Sequence, residues 1–349
     1  DGTYESNPTQ KTSVSPFLLQ KFLRRIANAG CTHAVLECSS HGLLQGRLNG
    51  ISFDIAAVTN TSAEHLDYHG SMEEYIKAKA LLFRKLKPCG VKILNVQDSS
   101  FPIFSKISSK QTISYNPESI NITESSVDRI SGKAMLEGQS INLKLSLAGA
   151  FNLKNALCAV ACAQALGIKT DDAARALESF HGTPGRMESV NCGQPFSIFI
   201  DFTVTPQAYE ATLRTARNML QENGRLLVLA GSCGDRMKEK RAVVGKLCVK
   251  LADITVVTNE DPYTEDPETI MDAVIAGAKE IVPTFMNVQN LPAIVPTKFC
   301  IKILDRREAI RWILQAARKD DVVLLCGKGA DITMMIATKQ IPWNEKQIT

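Results

Sequence analysis

The chain has 349 residues, 44% of them hydrophobic and 22% charged, which at about 150 residues per domain predicts two globular domains. This length excludes a small disulfide scaffold, and no apolar run reaches the roughly 18 residues that a membrane span needs. The formal net charge of +4 and the aromatic fraction of 6% argue against a nucleic-acid-binding surface.

Cysteine usage and the start of the chain bear on the cellular compartment. The ten cysteines form no C-x-x-C pair, and several lie within apolar runs like small core residues. Together with the absence of a signal-peptide pattern, this predicts reduced thiols and a cytoplasmic protein. The sequence begins D-G-T-Y-E-S-N-P, without an initiator Met, so we expect it to start inside a longer protein.

The first half of the chain alternates apolar runs with helical patterns. A helix is expected over 16–29, ended by Gly30, and buried parallel strands over 33–37 and 53–58. Polar residues follow both strands, and ligands in open α/β sheets bind at those ends. We therefore expect these residues to cluster near one crevice: Glu37, Ser39, Ser40, His41, Thr59 and Asn60. Residues 98–148 favour antiparallel strands, followed by helices over 152–166 and 171–180.

The second half repeats a strand and helix rhythm after the turn formers of 181–186, which place a domain boundary between residues 182 and 183. Strands are predicted over 196–201, 225–231, 253–258, 300–304 and 321–326, and helices over 206–221, 239–252, 267–280 and 306–318. Residues 343–349 read as the start of a final helix. This alternation predicts a doubly wound domain.

Three sequence blocks carry the functional signal. They read E-C-S-S-H-G-L-L-Q-G-R over 37–47, T-N-T-S-A-E-H-L-D-Y-H-G-S-M-E-E-Y-I-K-A-K-A-L-L-F over 59–83, and G-S-C-G-D-R-M-K-E-K-R over 231–241 with T-N-E-D-P-Y-T-E-D-P over 258–267. Shorter motifs link them: F-N-L-K-N over 151–155, P-G-R-M-E over 184–188 and G-K-G-A-D over 327–331. In this order the blocks resemble the Mur ligase family over practically the whole chain.

The resemblance implies an α/β fold. A central ATPase-like domain with a parallel sheet, lacking its phosphate-loop start, would occupy 1–182, and a Rossmann-like, doubly wound domain that binds the incoming amino acid would occupy 183–349. It also implies ATP-driven amide ligation with Mg²⁺ through an acyl phosphate. The reaction would add a third amino acid, lysine or meso-diaminopimelate, to UDP-N-acetylmuramoyl-L-alanyl-D-glutamate in peptidoglycan precursor synthesis.

The resemblance also implies a metal site. Glu37 and His65 match Mg²⁺ ligands, and Lys79 matches a lysine that CO₂ carbamylates, which turns a cation into a metal-binding carboxylate. Taken without the motif, Glu37 is a solvated strand end, and Lys77 competes with Lys79 as an ordinary surface lysine. His65 and His69 lie four residues apart, but no third ligand for zinc is evident.

The remaining matches concern substrates and nucleotide. Five residues match contacts to the UDP-muramoyl dipeptide: Thr12, Ser13, Ser39, Gln45 and Arg47. Six match the pocket for the incoming amino acid: Arg236, Glu260, Asp261, Tyr263, Gly327 and Asp331. Asn152 or Asn155, Arg186 and Asp201 match nucleotide contacts. Structural alternatives remain open, such as a helix N-cap for Thr12 and Ser13, a surface position for Arg47 and ordinary turns for the G-x-x-G-D-R and E-D-P segments.

Several positions depart from the family pattern. No G-x-x-x-x-G-K-[ST] loop occurs, so we expect the 349-residue chain to bind ATP weakly and to form no amide by itself. Val204 stands where the family has a histidine, and E-D-P-Y and G-K-G-A-D replace D-N-P-R and G-K-G-H-E. Because Tyr263 replaces the arginine that would clamp a distal carboxylate, we expect lysine to be preferred over meso-diaminopimelate.

Two other functions compete with this one. A folylpolyglutamate synthetase shares the general fold and the ATP chemistry but should not carry H-L-D-Y-H-G together with the D-x-P segment. A catalytically silent binding module would keep the scaffold without the ATP loop. The sequence upstream of residue 1 would distinguish the silent binding module from the ligase, since a G-K-[ST] loop in the same reading frame favours the enzyme.

Overall fold

The computed structural model of the chain describes residue 7 and residues 12–62, 64–281, 285–286 and 297–349. The chain divides into two compact units. The first unit contains the residues up to Ile120 with Ala134–Ile141 and Asn155–Ala173, and the second contains Asn121–Lys133, Asn142–Lys154 and Ala174–Thr349. Among the described residues, no helix is both long and apolar enough to cross a membrane. The domain boundary between residues 182 and 183 stays a prediction.

The first half of the chain forms short helices and the strands of one sheet. Its helices are α1 (Pro16–Asn28), α2 (Ser40–Leu44), α3 (Leu66–His69), α4 (Met72–Ala80), α5 (Phe101–Phe104), α6 (Ala150–Ala165) and α7 (Thr170–Glu178). Its strands are β1 (Phe53–Val58), β2 (Leu86–Asn95), β3 (Gln111–Tyr115), β4 (Asn121–Ser125), β5 (Ile130–Leu136) and β6 (Gln139–Leu145).

The sheet of the first half is mixed. Its order is β1-β2-β3-β5-β4, with β6 paired to β5. The β1–β2 and β2–β3 pairs are parallel, whereas β3–β5 and β4–β5 are antiparallel. The prediction of β1 is confirmed residue for residue. The prediction of antiparallel strands over 98–148 is confirmed for the β3–β5 and β4–β5 pairs, whereas β3 also runs parallel to β2 on its other side.

The strand predicted over 33–37 is wrong. These residues have no regular secondary structure, and the side chain of Val35 is 98% exposed. A strand needs a neighbour that accepts and donates its main-chain hydrogen bonds. Among the described strands, β1 pairs with β2 alone, and no ladder reaches 33–37. An apolar run alone is therefore insufficient evidence for a strand, because a strand also needs a neighbour to pair with.

Local hydrogen bonds explain where the helices begin. The Ser15 hydroxyl accepts from the main-chain N–H of Leu18 ahead of Pro16 in α1, so the N-cap is Ser15 and neither Thr12 nor Ser13. The Ser71 hydroxyl caps α4 in the same way. Helix α1 ends before Gly30, whose φ of 83° lies in the left-handed region that glycine adopts without strain.

The second half alternates strands and helices as predicted. Its strands are β7 (Glu188–Val190), β8 (Ser197–Asp201), β9 (Leu226–Ala230), β10 (Ile254–Thr258), β11 (Phe285–Met286), β12 (Phe299–Ile303), β13 (Val322–Cys326), β14 (Thr333–Ile336) and β15 (Lys339–Pro342). Its helices are α8 (Pro206–Asn218), α9 (Lys240–Leu251), α10 (Pro267–Lys279), α11 (Arg306–Ala316) and α12 (Glu345–Ile348).

The main sheet of the second half is doubly wound. Its order is β11-β12-β10-β9-β13-β8-β7, and every pair except β7–β8 is parallel. Leu227 and Leu229 of β9 pack into one core cluster, while Leu226 and Val228 pack into another. Alternate side chains point to opposite faces, so both faces are covered, as a continuous apolar strand requires. The expected Rossmann-like architecture is confirmed.

A small hairpin of β14 and β15 was not predicted. The two strands pair antiparallel from Thr333 and Pro342 to Ile336 and Lys339. The turn between them contains Ala337 with a φ of 53°, a conformation for which glycine or asparagine is the usual signal. Because this signal is absent, hydrophobic pattern alone does not divide the segment into two strands.

Lys92 on β2 is a buried lysine whose ammonium group is hydrogen-bonded to main-chain carbonyl groups. Only 1% of the residue is exposed, and its ammonium donates to the carbonyl oxygens of Phe104 at 2.8 Å, Ser105 at 3.1 Å and Ile107. These carbonyls lie at the C-terminal end of α5, where helical carbonyl groups lack partners of their own. Lys92 therefore ties α5 and the turn after it to the sheet.

We expect Lys92→Met to lower the free energy of unfolding by about 1–3 kcal/mol, because the buried carbonyl groups would lose their donor. Urea titration followed by circular dichroism measures the change. Lys87→Met on the same strand is the matched control, since Lys87 makes an exposed ion pair with Asp54, and such pairs contribute only ~0–1 kcal/mol. Equal effects of the two substitutions would contradict a role for the buried ammonium.

Candidate functional site

Four of the predicted dipeptide-binding residues lie together in the first unit. The hydroxyl groups of Ser13 and Ser39 are 3.2 Å apart, and the Ser39 main-chain N–H donates to the Ser13 hydroxyl. Arg47 donates to the Ser13 carbonyl at 2.9 Å and to the side-chain oxygen of Gln45. Gln45 in turn donates to the hydroxyl of Tyr68 at 3.0 Å. The loop before α1 and the turns around α2 thus bring hydroxyl, amide and guanidinium groups to one surface.

Two backbone features hold this cluster in place. Ser39 is the N-cap of α2, and its hydroxyl accepts from the Gly42 main-chain N–H at 3.1 Å. Any side chain at Gly42 would overlap the hydroxyl of Ser13, so glycine is required there. Thr12 is exposed beside Ser13. Tyr68 was not predicted, although it lies within the H-L-D-Y-H-G motif.

Lys79 and Lys77 occupy different environments on α4. Lys77 is exposed and makes ion pairs with Glu73 at 2.8 Å and Glu74 at 2.9 Å. Lys79 is half-buried, and its ammonium lies 5.1 Å from the centre of the Tyr75 ring. Burial lowers the pKa of Lys79, and nearby carboxylates offset only part of this effect. Of the two lysines, only Lys79 has surroundings that favour a neutral amine.

Three carboxylates act on Lys79: Glu64, Asp98 and Glu37. Asp98 follows β2 and accepts from the N–H and hydroxyl of Thr61 at 2.7 and 2.6 Å and from Ser100. Burial alone would raise the pKa of Asp98, but the hydrogen bonds from Ser100 and Thr61 outweigh it and hold that pKa below its usual value. Asp98 is therefore a fixed anion. It was not predicted, although a carboxylate just after a parallel strand is a recognisable signal.

Among the described contacts, none joins His65 to Glu37 or Lys79, the other two predicted metal ligands. His65 is exposed, has a φ of 56°, and its ring centre is 4.8 Å from that of His41. His69 is buried and hydrogen-bonded to Ser40 at 3.0 Å. Within the described residues, no three histidine, cysteine, aspartate or glutamate side chains converge to hold a metal ion. The assignment of Glu37, His65 and Lys79 as metal ligands stays a prediction.

The second unit gathers the predicted amino-acid pocket at the carboxyl ends of β9, β10 and β13. Glu260, two residues after β10, is only 2% exposed. One of its carboxylate oxygens accepts from the Cys233 thiol at 2.9 Å, and the other has no partner among the described residues. Side chains at Gly231 or Gly327 would crowd this carboxylate, so both glycines permit its close approach. Burial raises the pKa of Glu260.

A buried lysine links two other pocket residues. Lys328 is 1% exposed, and its ammonium lies 2.7 Å from the Asp261 carboxylate and 3.0 Å from that of Asp331. Burial would lower the pKa of Lys328, but Asp261 and Asp331 outweigh it and raise that pKa. The other oxygen of Asp261 accepts from the Met335 N–H of β14 at 2.7 Å. Lys328 was missed, although it stands inside the G-K-G-A-D motif itself.

Arg236 and Tyr263 face each other at the surface of the second unit. The Arg236 guanidinium lies 5.8 Å from the centre of the Tyr263 ring. Thr264 donates to Asp235 at 2.9 Å, and Arg241 pairs with Glu265 at 2.8 Å. These bonds hold the loop after β9 against the loop after β10, which fixes the position of Arg236.

The predicted nucleotide contacts make local hydrogen bonds. Asp201, at the end of β8, is buried and accepts from the Met187 N–H at 2.8 Å and from the Thr203 hydroxyl. Arg186 is exposed and donates to the Phe202 carbonyl at 3.0 Å. Asn152 donates to the Ala148 carbonyl at 2.7 Å, and Asn155 is exposed on α6. Their role toward a nucleotide stays a prediction.

Comparison with known proteins identifies both halves of the chain. Residues 2–163 match the Mur ligase middle domain, and residues 185–329 match the Mur ligase, glutamate ligase domain. The UDP-N-acetylmuramoyl-L-alanyl-D-glutamate--2,6-diaminopimelate ligase of Caldanaerobacter subterraneus subsp. tengcongensis is 33% identical over 346 residues, which are 98% of this chain and 68% of that protein. The enzyme of the same name from Corynebacterium glutamicum is 35% identical, over 95% of this chain and 64% of its own length.

Solved structures agree with these relatives. A UDP-N-acetylmuramoyl-L-alanyl-D-glutamate--2,6-diaminopimelate ligase superposes with a TM-score of 0.61 at 28% identity, covering 96% of this chain and 67% of that one. The UDP-N-acetylmuramate-alanine ligase of Thermotoga maritima shares the fold, with a TM-score of 0.60 at 18% identity over 92% of this chain and 70% of its own. This chain spans about two thirds of the length of the curated relatives that it matches. The family uses ATP, and on these findings the chain belongs to the Mur ligase family.

Proposed function

We propose that this chain supplies the middle and C-terminal parts of an ATP-dependent ligase that joins an amino acid to UDP-N-acetylmuramoyl-L-alanyl-D-glutamate in peptidoglycan precursor synthesis. The observation that carries the proposal is Lys79, a half-buried lysine whose pKa is lowered by burial although the carboxylates of Glu64, Asp98 and Glu37 act on it. Such a lysine suits a task that an ordinary surface ammonium cannot perform. The names of the relatives support this reaction.

Lys79 suits carbamylation by CO₂. In that step the neutral amine forms a bond to the carbon of CO₂ and loses one proton, which leaves an anionic carbamate. Because burial lowers the pKa of Lys79, a larger fraction of its amine is neutral at a given pH. The neighbouring Lys77 remains charged, since its ion pairs with Glu73 and Glu74 raise its pKa.

The surroundings of Lys79 fit a divalent cation once the carbamate has formed. A carbamate beside Glu37, Glu64 and Asp98 would concentrate negative charge in one place, and carboxylate oxygens are the ligands that Mg²⁺ prefers. We assign Glu37, His65 and carbamylated Lys79 as the residues that hold it. When bound, Mg²⁺ would offset the repulsion between ATP and the anionic substrate and polarise the transferred phosphoryl group.

The remaining residues would bind and orient the reactants. The cluster of Ser13, Ser39, Gln45 and Arg47, with Thr12 beside it, offers hydrogen-bond donors suited to the anionic UDP-muramoyl dipeptide. We propose four residues as nucleotide contacts: Asn152 and Asn155 of α6, Arg186, and Asp201 at the end of β8. We place the reaction in the cytoplasm, where the ten free cysteines would stay reduced.

The amino-acid pocket would select its substrate by charge. Arg236 would bind the α-carboxylate of the incoming amino acid, leaving its amine free to attack the activated carboxyl group. Two carboxylates, those of Asp261 and Asp331, share the buried ammonium of Lys328, and Glu260 adds a third carboxyl group, whose pKa burial raises. This excess of acid favours a distal ammonium group. We therefore propose lysine as the preferred amino acid, with meso-diaminopimelate as the alternative.

The metal role of Lys79 is tested by substitution in the complete gene product. We expect Lys79→Ala to lower the rate of dipeptide-dependent phosphate release from ATP by more than about 100-fold, since removing a ligand's support alone costs 10–100-fold. Short-chain carboxylates should restore part of the rate by replacing the carbamate. In ¹³C-bicarbonate, wild type should show a carbamate resonance that Lys79→Ala lacks.

Lys77→Ala is the matched control, because Lys77 lies two residues away on the same helix but pairs with surface glutamates. It should keep both the reaction rate and the carbamate resonance. An active Lys79→Ala enzyme would refute the metal role.

The charge selectivity of the pocket is tested by Tyr263→Arg. A guanidinium there would pair with the distal carboxylate of diaminopimelate, so the preference between the two amino acids should move toward diaminopimelate by about 1–3 kcal/mol. Competition of lysine and diaminopimelate in one reaction measures the ratio. Tyr263→Phe, which adds no charge, should leave the ratio unchanged. A wild-type enzyme that incorporates mainly diaminopimelate would contradict selection by the acidic pocket.

A further inference from the structure

Arg306 is a buried cation at the first residue of α11 that the proposed reaction does not use. Only 2% of the residue is exposed. Its guanidinium donates to the Cys326 carbonyl at 2.8 Å and, over a longer 3.4 Å, to the Asn259 carbonyl. It also binds both carboxylate oxygens of Glu345, at 2.5 and 3.2 Å. Its guanidinium is thus shared among three separate segments of the chain.

The two carbonyl groups have a special place in the sheet. Cys326 is the last residue of β13, and Asn259 directly follows β10. Strand β9 lies between these two strands, so Arg306 spans three strands at the carboxyl edge of the sheet. The next residues along the chain are Gly327 and Glu260, which both belong to the proposed amino-acid pocket. Arg306 therefore binds the carbonyl groups of the two residues that directly precede these pocket residues.

The partner of Arg306 is itself held firmly. The Glu345 side chain is fully buried, and the Trp343 indole N–H donates to it at 2.7 Å. Glu345 is the first residue of α12 and follows β15 closely. A fully buried ion pair gives little net stability, because desolvation of both charges offsets their attraction. The main effect of the Arg306–Glu345 pair is therefore to hold the chain segments that it joins in one geometry.

We propose that Arg306 is a positioning residue that fixes Glu260 and Gly327 in the amino-acid pocket through the carbonyl groups preceding them. This inference rests on the proposed function of that pocket. The contact between Gly327 and the Glu260 carboxylate is so close that no side chain fits between them. A small shift of either segment would therefore alter the pocket, and a displacement of about 1 Å can cost up to 10²-fold in activity.

The test compares Arg306→Met with a matched substitution at the opposite edge of the same sheet. Arg225 directly precedes β9 and pairs with Asp321, which directly precedes β13, at 2.6 Å. Arg225 also donates to the Ala316 carbonyl at 2.9 Å. Arg225→Met therefore removes a similar set of bonds from two of the same strands, but at their amino ends, far along the strands from the pocket.

The first measurement is amide hydrogen exchange of the chain without ligand. Exchange over 259–263 and 326–331 should accelerate in Arg306→Met but not in Arg225→Met, and Arg306→Lys should restore part of the protection. The second measurement is the KM for the amino acid in the complete gene product. It should rise about tenfold or more in Arg306→Met, while the KM values for ATP and the dipeptide stay unchanged.

Unchanged exchange in both segments, or an equal change in Arg225→Met, would overturn the proposal. So would faster exchange with an unaltered KM for the amino acid. If Arg306→Met does not fold, Trp343→Phe removes one donor to Glu345, together with part of a buried side chain, and leaves the Arg306 guanidinium in place. It should show the same two changes to a smaller degree, and their absence there overturns the proposal equally. A wild-type protein that incorporates no amino acid would refute the proposed function, whereas the exchange comparison would still decide whether Arg306 holds the two segments.

Discussion

Charged groups that are removed from water need partners, and this requirement shapes both units of the protein. In the second unit, the carboxyl edge of the parallel sheet holds Glu260, Asp261, Lys328 and Arg306, each 7% exposed or less. Parallel strands covered by helices on both faces leave their carboxyl ends as the place where polar side chains can meet. The pocket therefore forms where the fold concentrates charge.

The first unit meets the same requirement differently. Main-chain carbonyl groups accept hydrogen bonds from the buried Lys92 ammonium, whereas nearby carboxylates act on the half-buried Lys79. Burial lowers the pKa of both lysines. The first arrangement satisfies its ammonium fully and fixes a turn. The second places the lysine near carboxylates, and the proposed carbamylation draws on that difference. The two lysines thus meet the same requirement with different partners.

Much of the fold could be predicted from hydrophobic patterns because parallel strands such as β9 and β13 are continuous apolar runs. The predicted secondary structure was wrong or incomplete where strand pairing or turn conformation determines the structure. Residues 33–37 have the composition of a strand but no described ladder, and the turn at Ala337 lacks the glycine or asparagine that would announce a hairpin.

The candidate site could be predicted in part. Ser39, Gln45 and Arg47 belong to one short motif, so their proximity could be expected, whereas Ser13 lies 26 residues before Ser39 and was placed with them only by the family resemblance. Lys328 and Asp98 were missed because sequence spacing does not reveal which charges fold inward. Arg306 was missed for the same reason, since its partners lie 20, 39 and 47 residues away along the chain.

Those separations have a consequence for synthesis on the ribosome. Glu345 leaves the ribosome after every strand of the doubly wound sheet, so Arg306 remains without its carboxylate partner until almost all of the described chain has been made. The core cluster on one face of the sheet contains no residue beyond Cys326, whereas the cluster on the other face includes Met334 and Trp343. The nascent second unit would pass through a stage in which its sheet exists but its carboxyl edge is still open, a stage at which folding catalysts or quality-control proteases would meet an unfinished enzyme.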